Sequence, residues 1–365
     1  MGVNGRSGEG EQKATLKRVA QELGVSPSTV SNAYNRPDQL SPDLRERVFE
    51  TARLLGYPGP DPLGRGLRRQ QAGAIGVLYT DRLSYAFADP AAVPFLEGVS
   101  EATEEAGLGL LLIPGAPRDK RDTSAVREAA VDGLIVFCMA EEDPLLAAAL
   151  QRRLPVVLVE QPPVEKLPAV VIDDEGASRE AAEHLIGLGH ERLAVISIEL
   201  SYRPEGGLVD VQRQRAATYR PSQARLAGYE SAAEAAGLRW ERTPVYECVE
   251  SSVEQGRSAA RRLLGESPRP TAILCMSDLL ATGVIEEANE QGLSVPEDVS
   301  VVGFDDSPLM AFTEPALTTI RQPVRAIVSA AIAALLRGMD GTPLDTTEVL
   351  FHPDLIIRRS TAPAP

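Results

Sequence analysis

The sequence predicts two kinds of structure in one chain: a small all-α helix-turn-helix head and an α/β body of two doubly wound parallel-sheet subdomains. Three observations support this prediction. The first 57 residues contain three short helical segments, whereas from residue 74 onward apolar runs alternate with amphipathic segments. The charge balance changes sign between these two parts. At 365 residues the chain is also too long for one ordinary core, so we expect more than one domain.

Composition excludes several classes of protein. The chain is 43% hydrophobic and 24% charged, which is ordinary for a globular protein, and no run of about 18 apolar residues predicts a membrane span. Cys138, Cys248 and Cys275 are far apart in or near apolar runs, so we expect reduced, mostly buried thiols and a cytoplasmic protein. The three histidines lack ligand spacing, and we predict neither a metal site nor a cofactor. Residues 1–12 are polar and lack an apolar segment, so we expect a disordered lead rather than a signal peptide.

The net charge of −15 argues against nucleic acid when it is taken over the whole chain. Residues 1–71, however, carry 11 Lys and Arg against 8 Asp and Glu, a balance of +3. The remainder carries 26 against 44, a balance of −18. A basic head on an acidic body is typical of a small DNA-binding domain attached to a separate body. A balance of +3 is also small enough to be accidental, so charge alone does not decide between these interpretations.

Three helices are predicted in the head, residues 13–60. Thr15 is placed to cap a helix over Leu16–Leu23, which Gly24 ends in a left-handed conformation. Ser26 and Pro27 begin a second helix that runs to about Tyr34, after a connection of three residues that contains glycine. Ser41 and Pro42 begin a third helix, which Gly56 ends. This spacing predicts a helix-turn-helix.

The second helix carries small polar side chains on its outer side, and these cover a core poorly. In a helix-turn-helix the second helix enters the major groove, where hydroxyl and amide groups can contact bases and phosphates. An ordinary three-helix bundle remains an alternative on pattern alone. The predicted DNA-binding residues of the head are Thr15, Ser26, Pro27, Ser28, Thr29, Ser31, Asn32 and Asn35.

Residues 61–72 form a linker or a hinge. Their Gly content makes a stable isolated helix unfavourable, so one interpretation is a simple connection. The other is a hinge helix that folds on DNA. In that case Leu67 would be an apolar wedge in a minor-groove step, with Arg65 and Arg68 beside the phosphates.

From residue 74 the chain reads as buried strands alternating with helices. The strand-like runs are AIGVLYT, LGLLLI, DGLIVFC, PVVLVE, AVVIDD, RLAVIS, TAILCM and VSVVGF. Runs that are apolar on both faces and separated by helices predict parallel sheets covered by helices. The rhythm restarts at AVVIDD, which favours two subdomains with a cleft at the carboxyl ends of the strands.

Polar and aromatic residues that follow these strands are the candidates for a ligand site in the cleft. Carboxylates and an arginine can bind hydroxyl groups, and aromatic faces can stack on a ring. For any single carboxylate the alternative is a helix N-cap, and SDLLATG and FDDSP each offer one. We place Arg225 at the start of the helix RLAGY. The predicted effector-binding residues are Asp81, Tyr85, Phe87, Asp174, Arg225, Ser277, Asp278, Asp305 and Gln322.

Two segments of the head, TLKRVAQELGVSPSTVSNAYN and LSPDLRERVFETARLLGY, carry a specific pattern. On these residues the head resembles that of the lac repressor (LacI/GalR) family of transcription regulators. The family pattern falls on Ala20, Gly24, Val25, Ser26, Thr29, Val30, Ser31, Asn35 and the triplet Leu55, Gly56 and Tyr57. Family members often have a guanine-reading arginine where this chain has Asn32, so the usual operator half-site is not expected. Pro27 and Ser28 stand at the variable base-reading positions.

The body resembles the same family over essentially its whole length, most clearly in TAILCMSDLLATGVIEEANEQGLSVPEDVSVVGFDDSP and LTTIRQP. The resemblance implies the fold of type I periplasmic binding proteins, in residues 73–365. It implies three crossings between subdomains, which we place near Glu160–Pro163, Ile320–Gln322 and Gly341–Asp345. The first subdomain would then hold about 73–160 and 322–341, and the second about 161–321 and 345–360.

One stretch, about 199–222, is longer than usual for the family between a strand and a helix. We expect either a solvated loop or a lid that supplies part of the effector site. The stretch contains four arginines, Arg203, Arg213, Arg215 and Arg220.

The family resemblance implies a DNA-binding repressor under allosteric control, with operator DNA and a small effector as partners. The rivals are a binding protein without gene control and an enzyme. No nucleophile elbow, phosphate-binding glycine loop or metal-ligand set favours an enzyme. We expect a homodimer on a pseudo-palindromic operator, rather than a tetramer, because no heptad segment follows Arg359.

Overall fold

The computed structural model describes residues 14–59, 71–79, 83–87, 89–115, 122–161, 164, 166–308 and 313–365. The predicted hinge residues Arg65, Leu67 and Arg68 lie outside the described residues, as do Asp81 and the side chain of Tyr85. The chain separates into two compact units, Met1–Ala72 and Gly73–Pro365. The smaller unit is called the head and the larger one the body.

The head contains the three predicted helices, α1 (Leu16–Leu23), α2 (Pro27–Asn35) and α3 (Pro42–Leu54). Each begins at the predicted cap, whose side-chain oxygen accepts a hydrogen bond from the amide three residues later. The caps are Thr15, Ser26 and Ser41. Gly24 ends α1 with φ +67°, a left-handed conformation that favours glycine. The sequence prediction of the helix starts in the head is confirmed.

A small apolar core holds the three helices together. Each helix contributes two buried side chains. The six residues are Val19, Ala20, Val30, Ala33, Val48 and Ala52. Tyr34 packs edge-to-face on Phe49, with 5.0 Å between the ring centroids, and extends this core.

Thirteen strands of the described body form two sheets. In chain order they are β1 (Ala74–Tyr79), β2 (Gly109–Ile113), β3 (Gly133–Phe137), β4 (Val156–Val159), β5 (Ala169–Ile172), β6 (Leu193–Ser197), β7 (Gly207–Val209), β8 (Val245–Glu247), β9 (Ala272–Cys275), β10 (Ser300–Asp305), β11 (Thr318–Arg321), β12 (Glu348–Phe351) and β13 (Asp354–Ile356). The first sheet has the order β12-β5-β4-β3-β1-β2 and is parallel throughout. The second has the order β13-β11-β10-β9-β6-β8-β7. Its edge strands β13 and β7 are antiparallel to their neighbours.

Helices connect the strands and pack against the sheets, as the alternating pattern predicts. They are α4 (Leu83–Ala86), α5 (Ala92–Glu105), α6 (Ser124–Glu128), α7 (Pro144–Leu150), α8 (Asp174–Gly187), α9 (Val211–Arg215), α10 (Arg220–Ala235), α11 (Val253–Leu264), α12 (Asp278–Glu290) and α13 (Val324–Met339). In the first subdomain α13 lies on α5 and on β3 to β5. In the second, α8 packs on α10 and α11 on α12. Among the described residues no helix combines the length and the apolar character that crossing a membrane requires.

Two of the predicted crossings are misplaced. The first crossing follows β5, because β5 pairs with β4 in the first sheet, so it lies near Asp173 rather than at Glu160–Pro163. The third lies between β12 and β13 rather than at Gly341–Asp345, because β12 pairs with β5. The second lies between β11 and α13, beside the predicted Ile320–Gln322. The apolar run AVVI shows that a strand exists but not which of two sheets it joins, which explains the first error. The strand β12 was not among the predicted runs, which explains the third.

The stretch from residue 199 to 222 is more ordered than either alternative from the sequence. It contains β7, which pairs with β8 at the edge of the second sheet, and the helix α9. The helix that follows begins at Arg220, five residues before the predicted start at Arg225. Pro221 explains this, because proline is well tolerated in the first turn of a helix. Arg225 therefore lies in the second turn of α10.

Candidate functional site

The first candidate site is the N-terminal end of α2 in the head. Ser26, Pro27 and Ser28 are exposed there, while Thr29 and Asn32 are half-buried. A helix N-terminus with short hydroxyl side chains presents amide and hydroxyl donors to phosphates and base edges. The three-residue connection after α1 and the exposed start of α2 match the geometry of a helix-turn-helix recognition helix.

Hydrogen bonds within the head engage several of the predicted DNA-binding side chains. The Ser26 hydroxyl lies 2.6 Å from that of Ser28 and 2.8 Å from that of Thr29. Asn35 donates to the carbonyl oxygen of Ser31 at 2.9 Å and lies 3.1 Å from its hydroxyl oxygen. Ser26 therefore serves the helix start as a cap, and Asn35 braces the last turn. Thr15 likewise caps α1.

The second candidate site is a cavity between the two subdomains of the body. The direction in which successive strands are added to the sheet changes between β1 and β3 in the first sheet and between β6 and β9 in the second. Residues at the carboxyl ends of all four strands line the cavity, among them Tyr79, Phe137, Ile198 and Met276. The cavity thus lies at the switch points of both sheets, where open α/β folds place their ligands.

The cavity is rich in carboxylates and has an aromatic wall. The carboxylates and the guanidinium in its lining belong to Asp89, Glu160, Glu199, Asp305 and Arg225. Tyr79, Phe95 and Phe137 form the aromatic wall, where Tyr79 and Phe137 stack with 5.5 Å between centroids. Ser251, Ser277 and Gln322 add uncharged polar groups. Oxygen acceptors beside aromatic faces are suited to a ring that carries hydroxyl groups.

Arg225 is 5% exposed and is held from three sides. Its Nε donates to Asp174 Oδ1 at 2.7 Å, and its Nη1 donates to the carbonyl oxygen of Met276 at 2.6 Å. The guanidinium carbon lies 3.5 Å from the centroid of the Phe304 ring. Burial by itself lowers the pKa of the Arg225 guanidinium. The negative charges of Asp174 and Asp305 raise this pKa by more, so the net shift is upward. Arg225 therefore stays charged and fixed at the cavity wall.

Asp305 and Gln322 meet at the cavity from adjacent strands. The Gln322 amide donates to Asp305 Oδ1 at 2.7 Å. Burial raises the pKa of Asp305 well above its usual range, and the nearby Asp278 adds to this, while Arg225 opposes it. An acidic group in this setting is poised to exchange a hydrogen bond with a ligand as donor or acceptor.

Asp278 lies behind the cavity rather than in its lining. It accepts hydrogen bonds from the Ser307 amide at 2.8 Å and from the Thr319 hydroxyl at 2.5 Å. Burial raises its pKa to about 7, although these hydrogen bonds oppose the shift. Ser277, not Asp278, caps α12, by accepting from the Leu280 amide at 3.2 Å. Asp278 fixes the turn after β10.

Glu160 is 6% exposed and lines the cavity directly after β4. Within the part of the chain that the structure describes, neither carboxylate oxygen has a hydrogen bond of ordinary length and angle, although the backbone of Ile172 is close enough to lower the pKa of Glu160. Burial raises the pKa of Glu160 well above its usual range, and Asp174 adds to the rise, while Arg225 and Arg220 oppose it. A buried polar group without a partner is costly, so Glu160 is prepared for a ligand donor.

Three cavity residues adopt left-handed backbone conformations at the ends of strands. Cys138 has φ +45°, Glu160 +54° and Asp305 +121°. Such conformations are unfavourable for residues other than glycine and concentrate at ligand sites, where the surrounding structure holds them. They turn the chain sharply at the strand ends and direct these side chains to the cleft.

Comparison with known proteins gives the family. A profile for bacterial regulatory proteins of the lacI family matches residues 15–59, and one for a periplasmic binding protein-like domain matches 182–361. The HTH-type transcriptional regulator Rv3575c of Mycobacterium tuberculosis is 44% identical over 86% of this chain and 87% of its own length. The chain belongs to the LacI family. It is therefore a DNA-binding transcriptional regulator.

Other members of the LacI family align over nearly the full length. The HTH-type transcriptional repressor CytR of Escherichia coli is 32% identical over 97% of this chain and 98% of its own length. A LacI-family regulator from Corynebacterium glutamicum has a crystal structure with a TM-score of 0.73 and 35% identity, covering 97% of this chain and all of that one. The structure of a CelR–cellobiose complex has a TM-score of 0.69 and 28% identity, covering 95% and 100%. The predicted fold class is confirmed.

In this LacI-family chain the structure brings together four of the nine predicted effector residues. Arg225, Ser277, Asp305 and Gln322 line the cavity. Asp174 and Asp278 lie one layer behind it, bonded to other protein groups. Phe87 is 62% exposed and is absent from the cavity lining. Asp81 and the side chain of Tyr85 lie outside the described residues.

Sequence reasoning missed several lining residues of this LacI-family cavity. Glu160 is the last residue of the run PVVLVE that predicted β4, and Glu199 is the second residue after β6. The rule that polar groups beyond strand ends line the cleft would have found both. The aromatic wall carried a weaker signal, because Phe95 lies in a helix and an apolar residue in a helix is usually core.

Proposed function

We propose that this protein is a homodimeric repressor that binds pseudo-palindromic operator DNA under the control of a small effector in the cleft. The effector is a polyhydroxylated ring, a sugar or a related metabolite. The observation that carries the proposal is the presence, in one chain, of a helix-turn-helix head and a two-subdomain body with a polar cavity at its strand ends. As a regulator of chromosomal DNA, the protein would act in the cytoplasm.

The exposed start of α2 supports the DNA half of the proposal. We assign contacts with the operator to Thr15, Ser26, Pro27, Ser28, Thr29, Ser31, Asn32 and Asn35. We assign contacts in the minor groove to Leu67, and contacts with the neighbouring phosphates to Arg65 and Arg68. A dimer would place two such heads on two half-sites about one helical turn apart. The name of the relative CytR, a repressor, supports the direction of control.

The chemistry of the cavity supports the effector class. Carboxylates, an amide and serine hydroxyls accept and donate hydrogen bonds to ring hydroxyls, and the aromatic wall covers an apolar ring face. Arg225 donates to Asp174 through Nε and to Met276 through Nη1, so a ligand would accept its hydrogen bond from Nη2. The CelR relative was solved with cellobiose, which belongs to this class.

The mechanism we propose is a change in the angle between the subdomains. The chain crosses between them three times, so the crossings can act as a hinge. An effector that binds one angle better than the other shifts the population, and the dimer transmits the shift to the spacing of the heads. Reciprocity requires operator DNA to change effector affinity by the same factor.

A mobility-shift assay with the DNA flanking the protein's own gene tests the DNA half. With competitor DNA and a salt series, we expect a sequence-specific shift whose affinity falls steeply with salt. Asn32→Ala should weaken specific binding roughly tenfold and Glu50→Gln, an exposed control on α3, should not. Leu67→Gly should weaken specific more than non-specific binding. Equal losses for Leu67→Gly would contradict the wedge, and no binding at any salt would contradict the DNA half.

A calorimetric screen of neutral sugars, cyclitols and nucleosides tests the effector half. We expect one compound to bind and to change operator affinity. Glu160→Gln and Gln322→Ala should weaken that binding roughly tenfold, whereas Glu104→Gln on the exposed side of α5 should not. Binding that is equal in all variants, or that leaves operator affinity unchanged, would contradict this site and this control.

A further inference from the structure

The segment from Glu199 to Arg220, here called the arm, is a part of the second subdomain that contacts the first. It leaves the end of β6, forms β7 and α9, and returns to the start of α10. Glu199 at one end and Pro221 just beyond the other line the cavity. The arm therefore begins and ends at the effector cleft.

Buried polar bonds anchor the arm firmly to its own subdomain. Arg213 of α9 donates to both oxygens of Glu247 at the end of β8, with the shortest bond 2.8 Å, and the Glu247 side chain is fully buried. The Glu247 carboxylate also accepts from the Leu200 amide at 3.0 Å. Trp240 donates its indole hydrogen to Gln214 at 2.9 Å. Charge-assisted bonds to a fully buried carboxylate fix the arm to the second subdomain.

Two side chains at the end of the arm bind the first subdomain. The Thr218 hydroxyl donates to Glu142 Oε1 at 2.8 Å, and Glu142 lies in the loop after β3. Arg220, the first residue of α10, forms a bidentate pair with Glu348 of β12, with bonds of 3.1 and 3.3 Å. Glu142 follows β3 and Glu348 lies on β12, so both acceptors belong to the first subdomain. The two contacts therefore join the subdomains, and a change in the angle between the subdomains would strain them, whereas it would not strain bonds within one subdomain.

We propose that the arm is a latch that holds the cleft in its closed conformation through Arg220–Glu348 and Thr218–Glu142. The Arg220–Glu348 pair is partly exposed, with 22% and 36% of the two side chains accessible. A pair of this kind shifts an equilibrium by roughly three- to fivefold. A shift of this size suits a latch, because the binding energy of an effector is large enough to close or open the cleft in spite of it.

The latch also acts on the cavity itself. The positive charge of Arg220 opposes the rise in the pKa of Glu160 that burial and Asp174 produce. In this conformation the charge of Arg220 favours the ionised form of Glu160, which accepts hydrogen bonds from a ligand. Arg220 therefore acts both on the contact between the subdomains and on the cavity.

Hydrogen exchange of the full-length protein, without DNA or effector, tests the latch independently of the proposed function. We compare the wild type with Arg220→Glu, Glu348→Arg and the double variant. The readouts are amides that line the cleft, at Ala91–Phe95 and at Met276 and Ser277. Each single variant should exchange there about three- to fivefold faster, because like charges open the latch. The double variant should return to within about twofold of the wild type, because the pair is restored with reversed polarity.

Matched controls separate the latch from general destabilisation. Arg257 is 25% exposed and pairs with Glu290 inside the second subdomain, so Arg257→Glu should leave exchange at the cleft unchanged. Amides of the buried strand β9 report whether a variant remains folded, and Arg220→Gln and Thr218→Val provide milder tests. Unchanged exchange in both single reversals, or a double variant as fast as the singles, would overturn the proposal.

Discussion

Arg225 and Asp174 are bonded at 2.7 Å across the packed helices α10 and α8, and both side chains are buried. Asp174 is the first residue after the crossing that leaves β5, and Arg225 faces the cavity. The pair therefore joins the wall of the cavity to the first crossing between the subdomains. In the proposed mechanism, a ligand that binds Arg225 would be one hydrogen bond away from that crossing.

Removal of one member of this pair should be costly. Arg225→Met leaves the Asp174 carboxylate buried without its cation, and we expect a loss of about 3–5 kcal/mol in the free energy of unfolding. Asp174→Leu should cost a similar amount. The double variant should lose clearly less than the sum, because no buried charge is then unpaired. Urea unfolding of the four proteins measures this, and additive losses would show that the two groups act independently.

The pH dependence of stability should carry a contribution from Asp278. Its pKa in the folded protein is raised to about 7 by burial, so between its ordinary value and pH 7 the folded state binds more protons than the unfolded state. The contribution of Asp278 to the free energy of unfolding therefore falls as pH rises from about 4 to about 7, and is constant above that. Asp278→Asn should remove this fall, as measured by urea unfolding at each pH.

Asp122 is a control of opposite sign for that experiment. A hydrogen bond from the Ser124 side chain lowers the pKa of Asp122, so its contribution increases with pH and is lost as pH falls through the lowered pKa. Asp122→Asn should remove a rise rather than a fall. If Asp278→Asn gave the same pH profile as the wild type, the carboxyl would not titrate in the way its burial predicts.

Gly228 allows α10 to approach α8 closely. A Cβ at this position would lie 2.2 Å from the carbonyl oxygen of Glu175, a backbone atom of α8. Gly228→Ala should therefore destabilise the body by about 1–3 kcal/mol or more, since the two helices must separate. Gly187 ends α8 with open space where a Cβ would stand, so Gly187→Ala should stabilise by up to about 1 kcal/mol. Thermal unfolding measures both, and equal effects would contradict the close packing.

Alanine variants of Ser26 and Ser28 should distinguish the loss of a helix cap from the loss of a DNA contact. Ser26 accepts from the Thr29 amide at 3.1 Å, so Ser26→Ala should destabilise α2 by about 1 kcal/mol. Ser28 is exposed and caps nothing, and Ser28→Ala should cost less than about 0.5 kcal/mol. Hydrogen exchange of α2 without DNA measures this difference. The Ser28 hydroxyl lies 2.6 Å from that of Ser26, so only a Ser28→Ala variant that leaves the exchange of α2 unchanged and still loses operator affinity identifies a DNA contact.

The head could be predicted almost completely from the sequence. Thr15, Ser26 and Ser41 are caps because each hydroxyl reaches an amide three residues away, and Gly24 ends a helix because it adopts a left-handed conformation without a steric penalty. These are local effects within one or two turns. The alternation of buried strands with helices, also a local pattern, predicted the doubly wound fold of the body.

Only the tertiary structure decided where the chain crosses between the subdomains and which residues line the cavity. The run AVVI fits either sheet, and only its pairing with β4 and β12 places it in the first. Because β12 pairs with β5, Glu348 on β12 also belongs to the first subdomain, and its bond to Arg220 joins the two subdomains. Asp278 and Asp305 both follow strands, yet one lies behind the cavity and the other in its wall. The sequence by itself determined which residue types end each strand, because periodicity and capping are short-range. Which of those residues face one another depends on long-range pairing and on the turn of the backbone at each strand end.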